Sequence, residues 1–530
     1  MFQYSFSINF HNLNGLRYLC IFLFLFFAPI SAFAATSIPF TINMSQAVNV
    51  TGTPRIAIDV GGVARYATYT SGSGTSALTF THTMVAGDVD LDGITLTPTI
   101  DLNGGTIKDL AGNDLSPLTF TAPNTTNVKV NYPSLGMDFV YDADGRYTLN
   151  GTAYNDLATF LSNAGGTYTR ASVGTYFDSA GVLQTAASGV PRFDYDPTTH
   201  VAKGILIEES RTNTLTYSNN LSTNWTNFGS GTTTVLSTTE SAPDGTTTAV
   251  KLNCTRADTA KYTARKYNAA LTLSGQNTSS IWVKAADATN VGKTITFWQY
   301  NGSVQNVTNY TLTASWARIT FNNSFSFSGS VSEPFNIGFL ESSKGGSTDL
   351  NATFVVWGAQ IEQGTFATSY IPTTTAAVTR AADTLTIPTG SWFNATAMTL
   401  AAEYSSYATN GYSTRIISVN DAATNAYQLA DAAAGTIFSQ KLISGVSNNS
   451  SGPTYVPGTT YKVAGAMDAT SSPFAINNTL YSNSIAGTPT GLNKLQVGNQ
   501  NSLNYLNGQI KKAKYYPVRV SNTQLQLMTQ

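Results

Sequence analysis

Three carboxylates stand at alternating positions in Asp88-Val-Asp90-Leu-Asp92-Gly93, just ahead of a turn-permitting glycine. Ca²⁺ takes about six to eight hard oxygen ligands, and a short D-x-D-x-D-G loop is one way to gather several of them. An EF-hand loop would place a bidentate glutamate at its twelfth position, where this chain has Thr99, so that site is excluded. Two readings stay open for Asp88, Asp90 and Asp92. One is a partial Ca²⁺ site completed by residues distant in sequence, with weak extracellular affinity. The other is a solvated turn. No other cofactor is expected.

Histidine chemistry has little to work with. His11 lies in the N-terminal leader, leaving His82 and His200. His82 shares an alternating face with Leu78, Phe80 and Met84, which makes it a satisfied, partly buried strand residue. His200 lies in a turn after Asp196-Pro197. Neither neighbours a serine in a Gly-x-Ser-x-Gly elbow, so a Ser-His-Asp site and a histidine zinc site are both set aside. A glycosidase needs only two carboxylates about 5 to 9.5 Å apart. Yet Glu403 is the only glutamate after Glu362, and the adjacent pair Glu208-Glu209 would point to opposite faces of a strand. Ion pairing with Arg211 or another arginine is the expected role of that pair. The chain reads as a protein without enzymatic activity.

Aromatic faces are the remaining chemistry, since a ring can stack on the apolar face of a sugar. Trp282 and Trp357 lie inside apolar strand runs and read as core. Trp225, in Ser222-Thr-Asn-Trp-Thr-Asn, and Trp392, in Gly390-Ser-Trp-Phe, have polar neighbours and are candidate ligand-binding residues. Tyr412 and Tyr455 close two loops rich in Asn, Ser, Gly and Tyr, residues 407–412 and 447–455, a composition suited to recognition surfaces. Cys254 sits on the apolar face of Val250-Lys251-Leu252-Asn253-Cys254 and reads as a buried structural thiol.

These residues must be positioned by strands. Charged residues make up 11% of the 530 residues, against about 25% in an average soluble domain. Thr, Ser, Asn and Gly fill the polar positions, and they suit strand faces and turns better than helices. The net charge of -1 gives no electrostatic reason to expect nucleic acid or an anionic membrane as partner. Arg17, the apolar run from Tyr18 to Ala28 and Ala32-Phe33-Ala34 have the layout of a secretory signal. That run is about half the length of a membrane-spanning helix. A mature chain beginning near Ala35, secreted or at the cell surface and with no membrane insertion, is therefore expected.

Residues 35–135 alternate strand and turn: Ile56, Ile58 and Val60, then a Gly61-Gly62 hairpin, then Val63 to Tyr69 and Leu78 to Met84. Residues 136–204 offer one short helix, capped by Asn155-Asp156 and stopped by Gly165-Gly166, followed by short extended pieces. Their sparse apolar repetition predicts a connector. Residues 205–387 hold aromatic-rich strands such as Ser280-Ile-Trp-Val-Lys and Ile295-Thr-Phe-Trp-Gln-Tyr, a second sandwich. Residues 388–530 hold further strands and end in Ser521-Asn-Thr-Gln524, a capping-box pattern for a final short helix. This last segment is expected to fold alone.

Three resemblances follow. Arg55-Ile-Ala-Ile-Asp-Val-Gly-Gly, Tyr66-Ala-Thr-Tyr and Gly105-Thr-Ile-Lys-Asp-Leu-Ala-Gly-Asn resemble bacterial immunoglobulin-like repeats of surface and adhesion proteins, whose role is spacing and presentation. The middle segment resembles jelly rolls of the carbohydrate-binding type. Its flanks, Gly204-Ile-Leu-Ile-Glu-Glu-Ser-Arg-Thr-Asn and Ser369-Tyr-Ile-Pro-Thr-Thr with Thr379-Arg-Ala-Ala-Asp, resemble phage and prophage tail-associated proteins. The last segment, with Leu495-Gln-Val-Gly-Asn and Leu506-Asn-Gly-Gln-Ile, resembles the laminin-G and concanavalin A-like lectin fold. Together they imply an all-β chain of three β-sandwich domains and a short connector, binding a glycan or another cell-surface polymer. A prophage-derived tail or virion component that binds a receptor is the alternative. A polysaccharide-degrading enzyme is the third reading, although hydrolases sharing the lectin fold carry a Glu-x-Asp-x-x-Glu strand that is absent here.

Overall fold

The computed structural model describes residues 37–530 except 141–145, 301–304, 323–326, 332, 410, 422–423 and 483; the expected leader, 1–34, lies outside the described residues. Side chains that are β-branched or aromatic, alternating with Thr and Ser, favour extended backbone. Almost all regular structure here is antiparallel strand. Among the described residues the α-helices are Leu157–Ala164 and Asn522–Met528, and no helix is long and apolar enough to cross a membrane.

The first domain is a six-stranded sheet in the order Thr95–Asp101, Arg55–Val60, Val63–Ser71, Thr75–Thr83, Ser37–Thr51, Thr106–Asp109. The predicted hairpin is present: Val60 pairs with Val63, and Gly61 and Gly62 take φ of 62° and 95°, values a side chain would resist. The sheet curls around Ile56, Ile58, Val60, Phe80 and Ile100. Val89–Asp90 and Val130–Asn131 form a separate short ladder.

Residues 136–204 are no connector. Leu135–Asp138 pairs with Gly508–Tyr516, matching Asp138 with Lys512 and Leu135 with Tyr515. Ala202–Ile207 also pairs with Gly508–Tyr516, through Ile205 and Ile510. Thr167–Thr169 forms the edge of the opposite sheet, against Thr384–Pro388. The predicted helix Leu157–Ala164 is capped by Asp156, ends on Gly165 and buries Leu157, Phe160 and Leu161. Those side chains join one core with Leu400, Ile417, Val463 and Leu495. The C-terminal sandwich is thus a ten-stranded sheet facing a seven-stranded one, built from both ends of residues 134–530. The segment 388–530 lacks the strands that complete both sheets, so the expectation that it folds alone is corrected.

The aromatic-rich sandwich is an insertion within that host. The chain leaves through Arg211–Asn213 and returns through Val378–Arg380, and these two segments pair antiparallel. Between them lie two five-stranded sheets. One runs Trp225–Gly229, Thr263–Tyr267, Glu333–Phe339, Thr294–Tyr300, Gln305–Thr311. The other runs Thr232–Glu240, Ala249–Thr255, Asn351–Gln363, Asn277–Ala285, Ala317–Asn322. Cys254 is wholly buried between them beside Leu252 and Phe354, as expected, and burial pushes its thiol up to about 12.

The second sheet lays its outer face on the host. Trp282, Trp357 and Tyr370 cluster there with Leu183, their rings 4.8 to 5.4 Å apart. Beside them runs a buried ion network. Asp383 accepts from Arg170 at 3.2 Å, Arg192 at 2.5 Å, Tyr168 at 2.5 Å and the Glu208 N–H at 3.0 Å. Glu208 pairs with Arg192 and Arg380, both at 2.8 Å, and with the Ser369 hydroxyl. The partners expected for Glu208-Glu209 are therefore arginines, with Arg211 taking Glu209 at 2.5 Å. Burial alone would raise the Glu208 pKa, but Arg380 and Arg192 pull it down to about 2.

Candidate ligand-binding site

The first sheet of the insertion keeps its outer face away from the host, and strand alternation decides what that face presents. In Thr294–Tyr300, Ile295 and Phe297 enter the core, so Thr296, Trp298 and Tyr300 point outward. In Trp225–Gly229 the same period sends Trp225 inward and Phe228 outward. Tyr262 precedes Thr263–Tyr267, whose Ala264 and Lys266 share the outer face while Tyr267 is core. Glu333 sits directly opposite Tyr300 in the ladder, after an irregularity that changes the register.

Phe228, Tyr262, Trp298, Tyr300 and Glu333 line a hollow of about 400 Å³ together with Leu340, Glu341 and Lys344. Phe228 and Tyr262 are a tilted ring pair 5.1 Å apart, and the Lys266 ammonium rests 4.4 Å from the Phe228 centroid. Trp298, 1% exposed, packs with Ala264 and Leu340 and forms the floor. Charges at the rim come in opposite pairs: Lys266 with Glu333 at 3.6 Å and Lys344 with Glu341 at 3.1 Å. Glu341 Oε2 is shielded from solvent and has no hydrogen-bond partner. The hollow therefore combines rings for apolar ring faces with carboxylates that accept hydrogen bonds from hydroxyl or ammonium groups.

The residues singled out from sequence fall elsewhere. Trp225 is core, edge-on to Tyr267 and Phe335 at 5.6 and 5.5 Å. Trp392 is core in the host, 4.8 Å from the Tyr515 ring. Tyr455 is buried and donates its hydroxyl to the Ala408 carbonyl at 2.6 Å. Only Tyr412 faces open space, in a separate cleft at the junction of insertion and host. The structure does not bring these four together. What sequence reading missed is Phe228 and Trp298 with Tyr300, and the signal was available: once Trp225 is assigned to the core, the two-residue period sends Phe228 outward.

The carboxylates of Asp88, Asp90 and Asp92 are engaged by donors of the protein itself. Asp88 accepts from Arg65 at 2.9 Å, His82 at 2.9 Å and the Val85 N–H at 2.8 Å. Burial raises its pKa, but His82, Val85 and Arg65 together carry it below the ordinary carboxylate value. Asp90 accepts from the Gly61 and Gly93 N–H groups, both at 2.7 Å; burial and nearby Asp92 outweigh them and raise its pKa. Asp92 accepts from the Gln524 amide at 2.7 Å. Oxygens already facing N–H donors do not suit a cation, and among the described residues no three His, Cys, Asp or Glu side chains gather to hold one. The turn is a docking element: Gln524 also accepts from the Leu91 N–H at 2.8 Å, joining the first domain to the final helix. The Ser521 cap is present, but the Gln524 side chain serves the neighbouring domain instead of closing a capping box.

No family model matches the sequence, and no curated protein matches it. Among solved structures, 26% of the chain is similar to 85% of the Ruminococcus gnavus IT-sialidase CBM40 bound to alpha2,6 sialyllactose, at 16% identity and a TM-score of 0.24. A further similarity pairs 31% of the chain with 82% of domain 4 of AbnA, a GH43 extracellular arabinanase from Geobacillus stearothermophilus, in complex with arabinotriose, at 12% identity and a TM-score of 0.25. Another pairs 46% of the chain with 85% of the mouse laminin alpha1 chain domains LG4-5, at 11% identity and a TM-score of 0.18.

Proposed function

We propose that this chain is an exported binding protein that holds a glycan in the aromatic hollow of its inserted sandwich, without turning it over. The observation that carries the reading is the convergence of Phe228, Tyr262, Trp298 and Tyr300 on one hollow, rimmed by Glu333 and Glu341. Rings meet the apolar faces of sugar rings, and the carboxylates accept from their hydroxyls. The volume falls within the range of about 300 to 1,000 Å³ usual for ligand pockets. The first domain, docked through Gln524, serves as a spacer, in line with the repeats it resembles. The test is calorimetric titration of the purified protein with a panel of neutral, amino and sialylated oligosaccharides. Tyr262→Ala and Tyr300→Ala should each weaken binding about tenfold, about 1.4 kcal/mol. A ligand bound equally by both variants and the parent would sink the proposal.

One observation favours a second reading. Glu333 and Glu341 share the hollow, and paired carboxylates are what a glycosidase uses. Analysing the titrated oligosaccharides for new reducing ends separates the two. Intact ligand after prolonged incubation supports binding alone, and cleavage lost in Glu341→Gln makes the hollow a hydrolase site.

A further inference from the structure

A second cleft, of about 860 Å³, opens where the insertion meets its host, apart from the aromatic hollow. Its walls come from three places: the entry strand around Arg211, the Leu271–Gly275 strand of the insertion with Gln276 and the end of its Asn351–Gln363 strand, and the host loop carrying Tyr412. Ten of its fifteen lining residues carry hydroxyl or amide side chains. Its only charges, Glu209 and Arg211, neutralise each other at 2.5 Å.

The floor is fixed. Arg211 is 6% exposed, lies 4.9 Å from the Phe366 ring centroid and reaches the Tyr412 hydroxyl at 3.5 Å. A Cβ on Gly364 would come within 1.8 Å of the Arg211 Nη1, so glycine is required there for the guanidinium to fit. That Nη1 has no hydrogen-bond partner, a buried donor left unsatisfied. Tyr412 is braced edge-on against Phe366 at 5.1 Å, and Thr365 bonds host Thr409 at 2.6 Å, tying the two walls together.

We infer that this junction cleft is a second binding site, for an uncharged polyhydroxylated chain such as a neutral oligosaccharide. Amides and hydroxyls both donate and accept, which matches sugar hydroxyls group for group, whereas a charged ligand would find no opposite charge free to meet it. The large volume suits several linked units rather than one. The site exists only where insertion and host are joined, so it belongs to neither sandwich alone.

The experiment uses the full chain carrying Tyr262→Ala and Tyr300→Ala, which disables the hollow and leaves the cleft intact. Calorimetry against cellohexaose, maltohexaose and xylohexaose should still detect binding of at least one. Adding Tyr412→Ala and Gln276→Ala, at positions outside both cores, should weaken that binding about tenfold or more. The same two cleft substitutions in the otherwise unaltered protein should spare whatever the hollow binds. The inference is overturned if the hollow-disabled protein binds none of the three. It is also overturned if the added substitutions change nothing, or if the cleft takes only acidic sugars or peptides. Matching circular dichroism spectra for every variant keep a folding defect from passing as lost binding.

Discussion

Two junctions hold this molecule together, and they are made differently. The first domain meets the host through Val89 and Leu91, packed in an apolar cluster with Ala464, Ala466, Tyr516, Val520 and Leu525, through a Tyr516–Asn131 hydrogen bond at 2.6 Å, and through Gln524, which gives one hydrogen bond and takes another. The insertion meets the host through Trp282, Trp357 and Tyr370 and through a network of five buried charges, Arg170, Arg192, Glu208, Arg380 and Asp383. At the first junction the hydrogen bonds can be replaced by water at little cost, and apolar burial supplies the rest. Buried ions cannot, because each carries a desolvation penalty that only its partners offset. The contrast is between a seam of apolar and amide contacts and one locked by buried charge, and the second lies beside the junction cleft.

The sharpest way to break this comparison is to remove the centre of the network. Asp383→Ala would leave Arg170 buried without a carboxylate and Arg192 with Glu208 alone, and should cost about 3 to 5 kcal/mol in denaturant unfolding. A loss below about 1 kcal/mol would mean water enters and buried charge does not lock the junction.

Acid should separate the junction from the sandwich core next to it. Glu208, held at about 2 against an ordinary 4.5, contributes stability that is present above its unfolded value and is lost as pH falls toward 2. Asp431, wholly buried in the host, is the opposite case. Burial raises it to about 6 from 3.8, against hydrogen bonds from Tyr404 and Thr414. Its stabilising protonated form is complete below pH 3.8 and is lost as pH rises through 6, a difference of about 3 kcal/mol. Melting temperatures across this range should show Asp431→Asn matching the parent near pH 4 and exceeding it at pH 7. Glu208→Gln should weaken the protein at pH 7 and lose less on acidification. Parallel pH curves for both variants and the parent would contradict this assignment.

The smallest effect belongs to the first junction. Gln524→Ala should lower stability by about 1 kcal/mol, the net contribution of ordinary hydrogen bonds. Millimolar Ca²⁺ and a chelator should give the same melting curve, because both oxygens of Asp88 and of Asp90 and one of Asp92 face N–H donors. A Ca²⁺-dependent rise that disappears in Asp90→Ala would restore the metal reading.

The all-β architecture was legible because its signals are local. Gly61-Gly62, the alternation through Phe80 and the caps at Asp156 and Ser521 all stand where the residues predict. The pairing of Glu208 and Glu209 with arginines was legible from the adjacency of the two acids. The insertion was not legible, because Asp138 finds Lys512 and Ile205 finds Ile510 across most of the chain, and no neighbouring residue reports such a partner. The sites were half legible. Polar company around Trp225 suggested exposure, yet that strand exposes Phe228, three residues on. Tyr412 was placed at a surface correctly, while residues 447–455, read as a loop, are mostly the strand Val446–Thr454, and Tyr455 at its end turns inward to the Ala408 carbonyl.

The paired entry and exit of the insertion has a consequence for how such a chain can change over time. Arg211–Asn213 and Val378–Arg380 lie side by side, so everything between them begins and ends at one point of the host. A different sandwich spliced between Asn213 and Val378 would meet the same doorway, whatever its length, provided its own termini lie close together, as those of compact domains usually do. Recombination at two short stretches of gene could thus exchange specificity wholesale while the scaffold is inherited unchanged.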